Sequence, residues 1–206
     1  MKTQIPTENY IRFFHALPTP DSLDLYWDDQ KLAKDFLYED FTRYFPTYSG
    51  EHHLMVTLHH MTEPLYEATL WLSKQKIYTI VLSYTPQTTS IQSTLVYEPP
   101  KAIPDDQLLI RSANFSQLPS TFTLQLMDTK PIFKKIPLRQ ASSYLAFSPA
   151  TATLELTDLE THKSLQKWEN HLFKTTRYYT LYLTGGTKEY PLRCIQTIDG
   201  NSFLRF

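Results

Sequence analysis

The strongest constraint on the fold of this chain is an internal repeat of about 100 residues. Tyr10-Ile11-Arg12-Phe13 recurs as Leu109-Ile110-Arg111-Ser112, and Leu23-Asp24-Leu25-Tyr26-Trp27 meets Phe122-Thr123-Leu124-Gln125-Leu126 at the same offset of 99. Phe41-Thr42-Arg43-Tyr44 matches Ala141-Ser142-Ser143-Tyr144 at 100, and the segment from Lys76 to Leu82 matches the one from Arg177 to Leu183 at 101. Matches in the same order with a slowly growing offset indicate duplication followed by small loop insertions. The two halves must therefore adopt one fold. The expected units are residues 1–98 and 107–206, joined by a Pro-rich linker over 99–106. A unit of about 100 residues buries enough apolar surface to fold without disulfides or metals.

The type of unit follows from the period of the apolar residues. Leu23, Leu25 and Trp27 alternate with polar or half-polar neighbours, as do Leu54, Val56 and Leu58, and again Leu154 and Leu156. A period of two is that of a half-buried strand. Ile77–Tyr84 and Tyr178–Thr184 are nearly continuous apolar runs, as expected of central strands. Leu165–Lys174 has some helical spacing and reads as strand or loop. The prediction is an all-β chain: two tandem antiparallel β-sandwich domains, immunoglobulin- or transthyretin-like, with about seven strands each. The core should hold Leu23, Leu25, Trp27, Leu54, Val56, Leu58, Ile80 and Leu82 in the first unit. Leu124, Leu126, Leu154, Leu156, Leu181 and Leu183 should do so in the second. The last six residues, Asn201 to Phe206, read as an added tail strand of the second repeat.

Composition narrows the function classes. Net charge is −1, which provides no field for nucleic acid or an anionic membrane. The halves differ: residues 1–102 carry 8 Lys/Arg against 12 Asp/Glu, and residues 103–206 carry 12 against 9. No run approaches the ~20 apolar residues of a membrane span, so no membrane insertion is expected. Cys194 is the single cysteine, which excludes an intrachain disulfide. Met1 to Pro6 lacks the apolar run of an export signal. The compartment stays open between the cytoplasm and a spore or cell surface reached by mother-cell lysis.

The run from Ile11 to Tyr26, Ile-Arg-Phe-Phe-His-Ala-Leu-Pro-Thr-Pro-Asp-Ser-Leu-Asp-Leu-Tyr, resembles the opening of the domain of unknown function 4397 (DUF4397). Tyr38–Tyr44 and Leu138–Tyr144 are similar to a later segment of that family, and Ser49-Gly50 stands at its Pro-Gly turn. Ile198–Leu204 resembles the tail of tandem members from spore-forming Firmicutes. The resemblance implies tandem β-sandwiches, usually displayed at a cell surface, and no established activity. The second copy departs from the pattern, with Thr123 in place of the family's Asp and Pro149-Ala150 in place of Pro-Gly.

Candidate chemistry is sparse. His53 and His59 share a strand face but lie six residues apart, or ~20 Å, too far for one zinc ion. Asp21, Asp24, Asp28 and Asp29 lack the spacing and the glycine of a calcium loop. There is no nucleophile elbow or phosphate-cradling loop. Neither catalytic residues, metal ligands nor a cofactor are predicted, and the protein is not expected to be an enzyme. Arg12 and Arg111 occupy equivalent positions, so they are expected to serve the fold, each with its stem packed over an aromatic ring and its head paired locally. The most suggestive residues are aromatic: Tyr44, Tyr48, Tyr66, Phe203 and Phe206 form the predicted interaction surface. The expected function is a non-catalytic structural or assembly module of a bacterial cell-surface or spore layer. The alternative is a β-sandwich module that binds carbohydrate or protein. Expected partners are protein, including self-association, and carbohydrate.

The charge asymmetry and the apolar tail make one test direct. If copies associate head to tail, raising salt and deleting residues 201–206 should each lower the mass measured by light scattering, because exposed charges are screened over about 8–10 Å. A monomer at every concentration and salt level would leave assembly without support.

Overall fold

The computed structural model describes residues 8–85, 88–118, 122–126 and 133–205. The side chain of Leu126, expected in the core, and Phe206 lie outside the described residues. The chain forms two compact units, Met1–Pro99 with Leu204–Phe206, and Pro100–Phe203.

The first unit contains β1 (Asn9–His15), β2 (Leu23–Trp27), β3 (Gln30–Phe36), β4 (Phe45–Thr47), β5 (Gly50–Leu58), β6 (Pro64–Leu72), β7 (Lys76–Tyr84) and β8 (Ile91–Tyr97). Its two sheets have the orders β4-β1-β7-β8 and β3-β2-β5-β6. The second contains β9 (Leu108–Asn114), β10 (Phe122–Leu126), β11 (Phe133–Ile136), β12 (Leu145–Phe147), β13 (Ala150–Asp158), β14 (Ser164–Phe173), β15 (Tyr178–Thr184) and β16 (Arg193–Ile198). Its sheets, β12-β9-β15-β16 and β11-β10-β13-β14, repeat the same order strand for strand. Each unit is a β-sandwich. The described strands number eight per unit rather than seven, because the three-residue β4 and β12 add an edge beside β1 and β9. Pairing is antiparallel except for β1 with β7 and β9 with β15, which run parallel.

Alternation sets which face is buried. Leu23, Leu25 and Trp27 lie opposite Leu58, Val56 and Leu54 across β2 and β5. They point into a core with Ile11, Phe13, Ile80 and Leu82. The second core gathers Leu124, Leu154, Leu156, Leu181 and Leu183 in the same way. Leu58 is the exception among the expected core residues: it is only half-buried, because the end of β5 borders an open cleft. Leu165–Lys174 resolves into the strand β14, which pairs along β13. Cys194 sits on the inner side of β16 in the second core, where burial pushes its thiol pKa up and leaves it unreactive.

The backbone repeats its unusual conformations as well as its strands. Positive φ angles occur at Asp35 and Lys135, at Glu39 and Arg139, and at Gln75 and Thr176, equivalent positions of the two copies. Asp28 and Asp29, with φ of 49° and 63°, form the two-residue turn between β2 and β3. Two consecutive positive φ angles match the twist of a tight hairpin, and Asp tolerates them better than a β-branched residue would.

The most closely repeated feature is a buried ion pair. Arg12 of β1 donates from Nε to Thr79 Oγ1 at 2.8 Å and approaches Glu98 Oε1 at 3.7 Å. Thr79 and Tyr44 both donate to that same oxygen, at 2.7 and 2.6 Å. The guanidinium lies over the rings of Phe41 and Tyr44. In the second unit Arg111 bonds Thr180 at 2.8 Å and pairs with Asp199 at 3.5 Å, while Tyr144 and Thr180 donate to Asp199. The acid is the last residue of each repeat, and it ties the end of the last strand back to the first. Both arginines meet an aromatic ring, as expected, but through the guanidinium, and the head pairs with residues far along the chain and not locally, because β1 and β9 lie beside β7 and β15 in the sheet.

Residues 201–205 do not add the strand expected of them. Gly200–Ser202 is a single 3₁₀ turn. The reason is local: Asp199 is held in the core, and the chain then folds back so that Ser202 Oγ accepts the Tyr178 N–H at 2.9 Å. Two edge strands also carry cross-sheet caps. Tyr66 of β6 accepts the Ser93 N–H of β8 at 3.0 Å, and Gln196 of β16 donates to the Leu172 carbonyl of β14 at 2.8 Å. Each cap occupies a backbone group that a strand added at that edge would need.

Removing one partner of a buried pair leaves an uncompensated charge. Glu98→Ala should destabilise the first unit by about 3–5 kcal/mol in urea unfolding, and Glu98→Gln by less, since the amide still accepts from Tyr44 and Thr79. Unfolding of Glu98→Ala indistinguishable from that of the parent would show that the pair does not hold the repeat closed.

Candidate binding cleft

At the end of the first sandwich where β1, β5 and β7 finish and β2, β6 and β8 begin, the described side chains leave an opening. A cleft of about 480 Å³ opens there. Its floor is apolar, from Leu17, Leu23 and Leu58, and Leu65 and Ile91 extend it. Tyr66 of β6 and Tyr84 of β7 bring two aromatic rings to it from opposite sheets. Thr19 and Asp21 supply polar groups from the β1–β2 loop, as do Thr89 and Ser90 from the β7–β8 connection. The β1–β2 loop is shaped by Thr19, whose Oγ1 accepts the Asp21 N–H at 3.2 Å and donates to Asp21 Oδ2 at 3.3 Å. The Tyr66 hydroxyl is committed to Ser93, through both its N–H and its Oγ, so Tyr66 offers the cleft its ring.

The same end of the second unit is built differently. By register, Tyr66 lies opposite Val56, and its counterpart Gln166 lies opposite Leu156. At the offset of 101, Tyr84 corresponds to Gly185, and at the offset of 99, Thr19 corresponds to Leu118. Leu118 packs on the second core and sits against Gly186, where a Cβ would come within 2.8 Å of it. Gly185 and Gly186 have φ of 70° and 99°, and a Cβ on Gly185 would strike the Pro191 carbonyl at 2.2 Å. The glycines thus let the β15–β16 connection close on Leu118. The aromatic pair belongs to the first copy and is not a requirement of the fold.

The interaction-surface residues expected from the sequence scatter. Tyr44 is half-buried in the arginine network. Tyr48 is exposed, donates to Asp28 at 3.2 Å and rests against His52. It lies at the opposite end of the β5–β6 hairpin from Tyr66, given that Gly50 pairs with Leu72 and Val56 with Tyr66. Phe203 is exposed just past the 3₁₀ turn. Of these described residues, Tyr66 alone lines the cleft. Its partner Tyr84 stands outside that expected set, although it belongs to the same group of first-half tyrosines in the sequence.

The histidines and acids are engaged in pairs. His52 is buried, with Nδ1 2.7 Å from Asp28 and Nε2 2.9 Å from the Tyr48 carbonyl, and it stacks on Trp27. Asp24 is buried and contacts Lys31 at 2.7 Å, His59 at 2.8 Å and the Asp35 N–H at 3.0 Å. Burial favours the neutral form of Asp24, but the Lys31, Asp35 and His59 hydrogen bonds outweigh it and hold its carboxyl at about 2. Asp24 also caps the N–H of the positive-φ residue in β3. In the second unit Thr123 stands there instead and bonds the Thr157 carbonyl. Among the described residues no group of three His, Cys, Asp or Glu side chains is arranged to hold a metal ion.

The DUF4397 model, described as a domain of unknown function, matches residues 9–125. The chain belongs to this family. A solved carbohydrate-binding module of family CBM26 from Eubacterium rectale Amy13K, in complex with maltoheptaose, is similar to this DUF4397 chain at 11% identity. That match covers 93% of this chain and 99% of the other with a TM-score of 0.28. A structure entitled "Alpha-glucan binding by a streptococcal virulence factor" is similar at 10% identity, covering 97% and 100%, with a TM-score of 0.27. No curated protein matches the chain. No helix among the described residues is long and apolar enough to cross a membrane.

His15, at the end of β1, is fully buried against Phe36 and Tyr38. Its Nδ1 accepts the Leu17 N–H at 3.3 Å, so its proton sits on Nε2, which meets no acceptor among the described residues. Burial lowers its pKa from 6.5 to about 4. The unfolded chain takes up a proton as pH falls below 6.5 and the folded one does so only near 4, so stability is lost across that window. Asp24 acts lower, between 3.8 and about 2, with the same sign. Urea unfolding should show about 2–3 kcal/mol less stability at pH 4.5 than at pH 7. His15→Asn, which copies Asn114 of the second unit, should remove most of that difference; an unchanged pH dependence would assign it elsewhere.

Proposed function

We propose that the chain is a non-catalytic carbohydrate-binding module that takes its ligand in the end cleft of the first sandwich. The observation that carries this reading is the pairing of Tyr66 and Tyr84 with the Thr19, Asp21, Thr89 and Ser90 side chains in one cleft of about 480 Å³. A sugar ring presents an apolar C–H face and a rim of hydroxyls. Aromatic faces match the first and short polar side chains match the second. The volume falls within the ~300–1,000 Å³ typical of small-ligand sites. Glycoside cleavage needs two carboxyl groups flanking the scissile bond, and Asp21 is the single carboxyl among the lining residues, so the cleft suits binding without hydrolysis. The second copy, with Leu118 in place of Thr19, serves as scaffold.

Self-association is a second reading, favoured by large apolar side chains exposed at equivalent positions on the outer faces of β6 and β14. Trp71 is 69% exposed and Leu172 52%. The capped edges of β8 and β14 argue that such contact runs face to face and not by strand addition.

Native gel electrophoresis through a panel of soluble polysaccharides tests the binding reading. At least one polysaccharide should retard the protein, and Tyr84→Ala should weaken retardation about 10–30-fold. Thr19→Leu, which fills the cleft as Leu118 does, should do the same with an unchanged unfolding midpoint. Retardation by none of the polysaccharides, or equal retardation of all variants, overturns it.

A further inference from the structure

We infer that the ligand of the cleft is cationic: an amino sugar whose free amine is protonated. This rests on the carbohydrate reading above and narrows it. Asp21 is the one carboxyl group among the residues that line the cleft, and no Lys, Arg or His is among them. Its carboxylate is exposed, and its Oδ2 receives a single long hydrogen bond from the Thr19 hydroxyl. No basic side chain pairs with it among the described residues. Asp24, on the strand that follows Asp21, is by contrast buried and paired with Lys31 at 2.7 Å. Asp21 thus has no basic partner among the described residues and stands at the mouth of an apolar cleft.

The aromatic groups reinforce the sign. Tyr66 has spent its hydroxyl on Ser93 and contributes a ring, and Tyr84 enters from the facing sheet. The face of a tyrosine ring is the negative end of its quadrupole and attracts cations. A carboxylate and two ring faces without a basic group draw in an ammonium and repel a phosphate or uronate. A hexosamine unites the apolar C–H face that stacks on tyrosine with the ammonium that pairs with Asp21. Its N-acetylated form keeps the ring and loses the charge, which makes the two forms a clean comparison.

Calorimetric titration of the full chain with tri-glucosamine, tri-N-acetylglucosamine, maltotriose and tri-lysine at low salt tests the inference. Tri-glucosamine should bind about tenfold more tightly than the N-acetylated trimer, combining an exposed ion pair with cation–π contact. Asp21→Asn should bring the two within about twofold, and so should raising the salt. Neutral trimers binding as well as tri-glucosamine, with Asp21→Asn indifferent, would overturn the cationic ligand and leave the carbohydrate reading standing. Tri-lysine matching tri-glucosamine would overturn the amino sugar in favour of charge alone. Binding of no trisaccharide would sink the carbohydrate reading and this inference with it.

Discussion

Each sandwich depends on one buried guanidinium and the acid that closes the repeat over it. A buried charge is costly unless it is paired and hydrogen-bonded. Arg12 meets Glu98, Thr79 and Tyr44, and Arg111 meets Asp199, Thr180 and Tyr144. These residues come from the first strand, the long strand parallel to it, the segment before the short edge strand and the final residue of the repeat. Four pieces of chain distant in sequence must be in place before any of them is satisfied. The glutamate of one copy and the aspartate of the other reach the same geometry from the same backbone position, so the requirement is for a carboxylate and not for one side-chain length.

With the scaffold held this way, differences between the copies become informative. The arginine, threonine and tyrosine of the network recur, and so do three positive-φ residues. The described residues that line the open end do not recur. In the first copy Thr19, Tyr66 and Tyr84 leave an aromatic cleft; in the second, Leu118, Gln166 and Gly185 occupy the corresponding places. Positions that both copies keep answer to folding. Positions where only one copy places half-buried aromatic rings beside polar groups are not required by the fold, and the proposed ligand site is placed there on that ground.

Much of the architecture was legible in the sequence because it rests on short-range periodicity. A period of two assigns each side chain of a strand to one face, and so Leu23, Leu25, Trp27, Leu54 and Val56 were identifiable as core before any strand was paired. Leu58 broke the pattern because burial also depends on what lies across the sheet, and across from it the sandwich is open. The tail departs from the expected strand for a similar reason. Its composition suits a strand, but Asp199 anchors it and Ser202 turns it back.

The sequence by itself determined that there are two copies of one β unit, which strand faces are apolar, and that Arg12 and Arg111 serve the fold. It also determined that Tyr66 is a notable aromatic, without saying why. Only the tertiary structure decided that Glu98 and Asp199 are the partners of those arginines, that Tyr44 belongs to that network, and that Tyr66 meets Tyr84 and Asp21 in one cleft. The physical reason is that alternation along a strand is a local property of the backbone. Which strand ends meet at one end of a sandwich depends on the strand order and register of two sheets, and these are set by contacts between residues far apart in the chain.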